Sequence, residues 1–334
     1  MFQQSTRENI LIFLLFFLFL FGFLFIEEIK SSAVPLNIPG SLIDLNTIFL
    51  SIVLEAFPFL LLGVFVSAII QSFVSEETIK RFTPKKGYIA LLPATVMAAL
   101  FPVCECAIIP VVRRLIKKGM PLHIGVVFLV AAPILNPVVF LSTFYAFRSD
   151  MTVVYARMGL GFILAIVIGA IIYTIFKNKD MLKKVETHTH MHSHDHDTEP
   201  SKWKMTMYHM SDEFFDTGKY LLFGALLASS FQAFVSREFI ASIGTEAWSS
   251  SLIMMGFAYL VSLCSEADAF VAVSFQSTFS TASIVAFLVY GPMLDIKNTL
   301  MLLAYFKKKF VLTLMAVITV TVFIAILLFQ LLFL

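Results

Sequence analysis

FPVCECAIIP, residues 101–110, sets two cysteines and a glutamate between two prolines inside an otherwise apolar stretch. A lipid interior solvates neither a carboxylate nor open backbone, so such a segment survives only where protein or a wet cavity surrounds it. The decamer therefore predicts an interrupted segment buried within a membrane-crossing bundle. Both prolines oppose regular helix, and a helical Pro110 would crowd the carbonyl of Cys106. On a regular helix Cys104 and Cys106 would point apart, so they converge only if Pro102 or Pro110 disrupts it.

Composition extends this reading to the whole chain. Of 334 residues, 59% are hydrophobic and 14% charged, with a mean hydropathy of +0.90. Soluble domains carry about 25% charged residues. Residues 10–26, ILIFLLFFLFLFGFLFI, and residues 310–334, FVLTLMAVITVTVFIAILLFQLLFL, approach or exceed the length of a membrane span. The first lacks a clean small-residue cleavage site and reads as a retained helix rather than a leader. Nine hydrophobic segments are expected: 10–26, 50–74, 88–112, 123–147, 152–176, 218–235, 250–275, 281–305 and 310–334. The fold class is an all-α polytopic protein, multi-pass in the cell membrane, with lipid as its solvent and no nucleic-acid partner. Three cysteines make no disulfide framework.

Charge constrains the path. Lys80, Arg81, Lys85 and Lys86 precede 88–112, and Arg113, Arg114, Lys117 and Lys118 follow it. A full crossing would put these clusters on opposite sides, against the positive-inside bias. A segment that dips in and returns, or breaks at its prolines, puts both on the cytoplasmic side. Arg7, the lysines of 177–204 and Lys307 to Lys309 then join them, leaving mainly Lys30, Arg148 and Arg237 opposite.

The two halves resemble each other at an offset of about 161 residues. FLLLGVFVSAIIQSFV, 59–74, aligns with YLLFGALLASSFQAFV, 220–235, matching Gly63 with Gly224 and Gln71 with Gln232. Cys104 to Ala107 then falls against Glu266 to Ala269, and APILN, 132–136, against GPMLD, 291–295. The expectation is a duplicated transporter core with interrupted or re-entrant helices. The repeats are inverted if the motif segments re-enter and parallel if they cross. The corresponding domains are a membrane helix and connection over 1–45, a first repeat over 46–176, a histidine-rich cytoplasmic linker over 177–217 and a second repeat over 218–334.

Several residues carry chemistry. Cys104 and Cys106 suit soft ions such as Cu(I), Zn(II) or trivalent arsenic, and Glu105 adds an oxygen ligand or proton acceptor. Cys264, Glu266 and Asp268 form the companion set, with Ser262 and Ser265 able to add hydroxyls; two close acids would share a proton and suit proton-coupled export. Packed cysteines, or acids at a wet interface, would give the same strings. Asn136 lies between Pro133 and Pro137, and its repeat counterpart Asp295 lies two residues before Lys297. With Gln71 and Gln232 these residues are expected along a substrate path or as ties between helices. Glu55 faces Asp216 in the repeat, and Arg157 is expected to pair with an acid or snorkel. His188, His190, His192, His194 and His196 make a flexible accessory metal tract or a solvated linker. Neither a GxxxxGK[ST] loop nor HExxH occurs, so an ATPase or zinc protease is not expected, nor is any cofactor.

Residues 101–140, FPVCECAIIPVVRRLIKKGMPLHIGVVFLVAAPILNPVVF, resemble the predicted-permease family of domain of unknown function 318. The likeness covers roughly residues 45–334. It implies an integral membrane permease, not an enzyme, in a family that includes efflux permeases for trivalent organoarsenicals. In that branch membrane cysteines handle substrate, which here would be Cys104, Cys106 and Cys264. Some members are encoded with a second membrane protein, so the implied partners are a small solute or ion and a second membrane protein or another copy of the chain. The expected function is a secondary exporter of a thiophilic metal or metalloid. The alternatives are a scaffold or regulatory subunit of a two-protein complex, and a permease for an unrelated small solute.

Overall fold

The computed structural model describes residues 40–77, 87–177, 179–183, 202–234 and 247–333. The expected helix 10–26 and the histidine tract 188–196 lie outside the described residues. Twelve helices are described: α1 Gly40–Phe73, α2 Leu91–Ala99, α3 Glu105–Lys117, α4 Leu122–Leu135, α5 Pro137–Ala146, α6 Met151–Phe176, α7 Lys202–Phe234, α8 Ala247–Val261, α9 Asp268–Val273, α10 Thr281–Met293, α11 Ile296–Tyr305 and α12 Lys308–Phe333. Among the described residues, five stretches are long and apolar enough to cross a bilayer: α1, α4–α5, α6, α10–α11 and α12. The chain is an all-α, multi-pass membrane protein. The segment expected over 218–235 is the later part of α7, which begins at Lys202 and packs along α1.

The breaks have local causes. Pro102 keeps 100–103 out of helix, and α3 starts only at Glu105 with Cys104 as its N-cap. Pro137 fixes the start of α5 and drives Asn136 into extended backbone. Asn136 then caps α5, its Oδ1 accepting from Val139 N at 2.8 Å while its Nδ2 donates to Ala132 O at 3.2 Å. Asp295 caps α11 in the same way, accepting from Asn298 N at 2.6 Å. Pro110 lies inside α3 without ending it; it deprives the Cys106 carbonyl of a helical donor. At its far end α3 closes in a Schellman turn, with Gly119 at φ 102°, Gly119 N donating to Ile116 O and Met120 N to Leu115 O.

Chain directions follow from contacts at one end of the bundle, here called the basic end. Gly87 before α2, and Ile116 and Met120 at the end of α3, line one cleft of about 500 Å³ with Tyr173 of α6. The two ends of the segment 87–120 therefore lie together at that end. Arg114 and Lys118 bond Gln71 at the end of α1. Lys183 N donates to Tyr305 O, and Lys307 N to Met181 O. At the opposite end the start of α8 meets the start of α10, where Ser283 Oγ donates to Ser250 Oγ at 2.9 Å. The segment 250–280 thus also begins and returns at one end, the other one.

The long helices run in opposite senses. α1 runs toward the basic end and α7 away from it, with Ser72 beside Thr206 and Ser67 beside Glu213. α4–α5 leaves the basic end, where His123 stacks on Tyr173, and α10–α11 arrives there, where Tyr305 bonds Thr217. Two glycines set the spacing around the breaks. A Cβ on Gly63 would stand 2.5 Å from Ala107 O, and one on Gly224 would stand 2.9 Å from the Cα of Lys297. The obstructing atoms are backbone, so Gly63→Ala is expected to cost about 1–3 kcal/mol. A lowered thermal midpoint for the detergent-purified protein checks this; an unchanged midpoint would mean that α1 rests on α3 less closely than drawn.

Candidate functional site

The two breaks, 100–104 and 262–267, approach each other inside the bundle, with Cys264 within electrostatic reach of Glu105 and Cys106. Cys104, Glu105 and Cys106 are 1%, 2% and 0% exposed, and Cys264 is 2% exposed. The break before α3 places Cys104 and Cys106 side by side. Glu105, Cys106 and Cys264 lie within electrostatic reach of one another. Lys297 completes the group from α11. Lys297, on the first turn of α11, is 1% exposed, and its Nζ lies 3.9 Å from Glu105 Oε1 and 3.6 Å from Asp295 Oδ2.

Backbone conformation aims these groups. Ser262 has φ 54°, the left-handed region that β-carbon-bearing residues rarely enter. Its carbonyl accepts from Lys297 Nζ at 2.5 Å, and its hydroxyl donates to Asp295 Oδ2 at 2.7 Å. Asp295 is thus held by Ser262 and by the N-terminus of α11. Glu105 is not: neither oxygen takes a hydrogen bond from any other described residue. A buried carboxyl without such partners is costly, and sites of this kind concentrate where a ligand binds. Ser262→Ala removes a hydroxyl from a buried carboxyl and is expected to destabilise by about 1–3 kcal/mol. Ser262→Gly, which relaxes the backbone, should lose less; equal loss in both would show that φ carries none of the cost.

The expected companion acids part company. Asp268 does not pair with Glu266. It binds Arg157 of α6, Nη2 to Oδ2 at 2.8 Å. Arg157 also donates to Thr143 Oγ1 at 2.8 Å and Ser265 O at 3.1 Å. Glu266 is half-buried and takes a bond from the Ser265 hydroxyl at 3.4 Å. Glu55, half-buried on α1, lies within electrostatic reach of Glu266 and Cys264. Among the described residues no three of His, Cys, Asp and Glu converge as ligands of one ion.

The polar residues expected along a path hold helices. Asn136 caps α5 as described. Gln71 accepts from Arg114 at 3.0 Å at the basic end, and Gln232 donates to Val261 O at 2.6 Å beside the second break. Glu213, which the sequence did not single out, is 4% exposed; it binds Arg114 at 3.0 Å and Ser67 at 2.7 Å, with Arg113 at 3.5 Å. Lys297 was noted only as a neighbour of Asp295, although a lone lysine in apolar 281–305 was a visible signal.

The long apolar helices, with two breaks and buried charges between them, make an all-α multi-pass membrane protein. Residues 41–331 match the family model described as "Predicted permease", and the chain belongs to that family. It is 50% identical over 283 residues to "UPF0718 protein YcgR" of Bacillus subtilis (strain 168), covering 85% of this chain and 96% of that protein. It is 38% identical over 276 residues to the "Putative two-component membrane permease complex subunit" of Streptococcus mutans serotype c, covering 83% and 91%. No solved structure matches.

Proposed function

We propose that the chain is the solute-translocating subunit of a two-component membrane permease, and that its cargo passes through the junction of the two hairpin tips. Glu105 carries this reading: a buried carboxyl with no hydrogen bond from another described residue, faced at 3.9 Å by a lysine from the second half of the chain. The Streptococcus relative's name supports a second component. The opposite senses of α1 and α7 and of α4–α5 and α10–α11 are those that inverted repeats would have, and rocking of one repeat against the other would then expose the junction alternately. The basic end is then cytoplasmic. Three buried thiols favour a soft metal or metalloid over an unrelated solute; proton-driven export is the direction and coupling that the vesicle panel tests.

Inverted membrane vesicles from cells expressing the chain test this, alongside liposomes holding the purified chain alone. The panel is Zn(II), Cu(I), arsenite and methylarsenite, with and without a proton gradient. Flux in the membrane vesicles should fall at least about tenfold in Glu105→Gln, equivalent to about 1.4 kcal/mol. Wild-type flux in that variant would remove the junction from the path. Equal flux from the purified chain alone would remove the need for a second component.

A further inference from the structure

Lys297 is a cation built into the place where cargo would bind. Its backbone is pressed against Gly224, so α11 cannot withdraw there without parting from α7. Its Nζ makes one short bond, to Ser262 O at 2.5 Å, and otherwise stands 3.6 Å and 3.9 Å from two carboxyl oxygens. Cys106 and Cys264 lie within its electrostatic reach. One ammonium therefore faces two carboxyl groups and two thiols, a donor set that suits a borderline or soft cation. The ammonium stands among these donors, and they do not converge on a common point.

Resting on the permease reading, we propose that the cargo is a cation that takes the place of the Lys297 ammonium between Glu105 and Asp295. Lys297 is then a resident counter-ion. Without cargo it compensates the two acids; with cargo it is displaced, and the carboxyls close on the incoming ion. An anion would have to leave water beside two carboxyl groups to reach one ammonium, which opposes its entry. A neutral solute would gain nothing from displacing the lysine. Specificity for charge thus resides in Lys297, Glu105 and Asp295, while the neighbouring thiols select for softness.

The test is equilibrium binding of Cd(II) by the full chain in lipid nanodiscs, read by the Cd(II)–thiolate charge-transfer absorption. The chain's three cysteines all lie in this region, and the histidine tract does not give that band. Removing the tethered cation in Lys297→Met should tighten Cd(II) binding at least about tenfold, and adding Glu105→Gln should reverse the gain. Unchanged or weaker binding in Lys297→Met, or no thiolate band in either protein with normal melting, overturns the proposal. If Lys297→Met does not fold, Lys297→Arg decides: its larger cation should weaken Cd(II) binding at least about tenfold, and unchanged binding overturns it.

Binding is measured without flux, so the two failures separate. Tightened Cd(II) binding with no flux in any preparation sinks the permease reading and leaves the cation site. Flux that depends on Glu105, with Cd(II) binding indifferent to Lys297→Met, sinks the cation site alone.

Discussion

Arg157→Met lowers the stability of the protein by about 3–5 kcal/mol, the cost of leaving a buried charge without its partner. Arg157 is 0% exposed and Asp268 3%. The guanidinium ties three elements at once: Thr143 on α5, the Ser265 carbonyl in the second tip and Asp268 at the start of α9. α9 has six residues and no side-chain cap, so this pair is its chief anchor. The double variant Arg157→Met/Asp268→Leu should recover most of the loss, because it removes both charges. Chemical denaturation in mild detergent reads both values. A double variant as unstable as the single would show that Arg157 acts through its bonds to Thr143 and Ser265 rather than through charge.

Glu213→Leu has the second largest expected effect, about 2–3 kcal/mol. The figure is lower because the arginine side chains keep 8% and 13% exposure. Glu213 is the acid among Arg113 and Arg114 of α3 and Ser67 of α1. Arg113 keeps its stack over Tyr305 at 4.1 Å in the variant. Arg114 keeps Gln71, and both lose the carboxylate. Hydrogen exchange along the α1–α3–α7 contact should accelerate with the loss of stability, and Glu213→Gln should fall between the two. Exchange unaltered in Glu213→Leu would mean that the basic end is held by apolar packing alone.

The fold was legible where the sequence was chemically inconsistent with lipid. Pro102 marked a break within 88–112, and the charges flanking that segment left a crossing and a returning path both open; the structure has the break at 100–104. Asn136–Pro137 foretold the α4–α5 break. The start of α7 was hidden because Lys202, Lys204, Asp212 and Glu213 lower the hydropathy of a stretch that is nevertheless helical. Its apolar partner α1 and the arginines of α3 supply what lipid would not. The site was half legible. Composition marked Glu105, Asp268 and Arg157 as expensive, and spacing suggested that nearby acids would pair with each other. In three dimensions each tip acid instead faces a cation from the opposite half: Glu105 faces Lys297 and Asp268 binds Arg157. No period or motif encodes contacts between residues more than a hundred positions apart.

The tip-to-tip junction also has an electrical meaning. If cargo passes through the junction as proposed, an ion held there would stand near the middle of the voltage drop. A full crossing at 100 mV is worth about 2.3 kcal/mol per elementary charge, which makes arrival from either side worth about half of that. Membrane potential would then divide almost evenly between loading and release, and hyperpolarisation would tilt the cycle without trapping a monovalent ion at the centre.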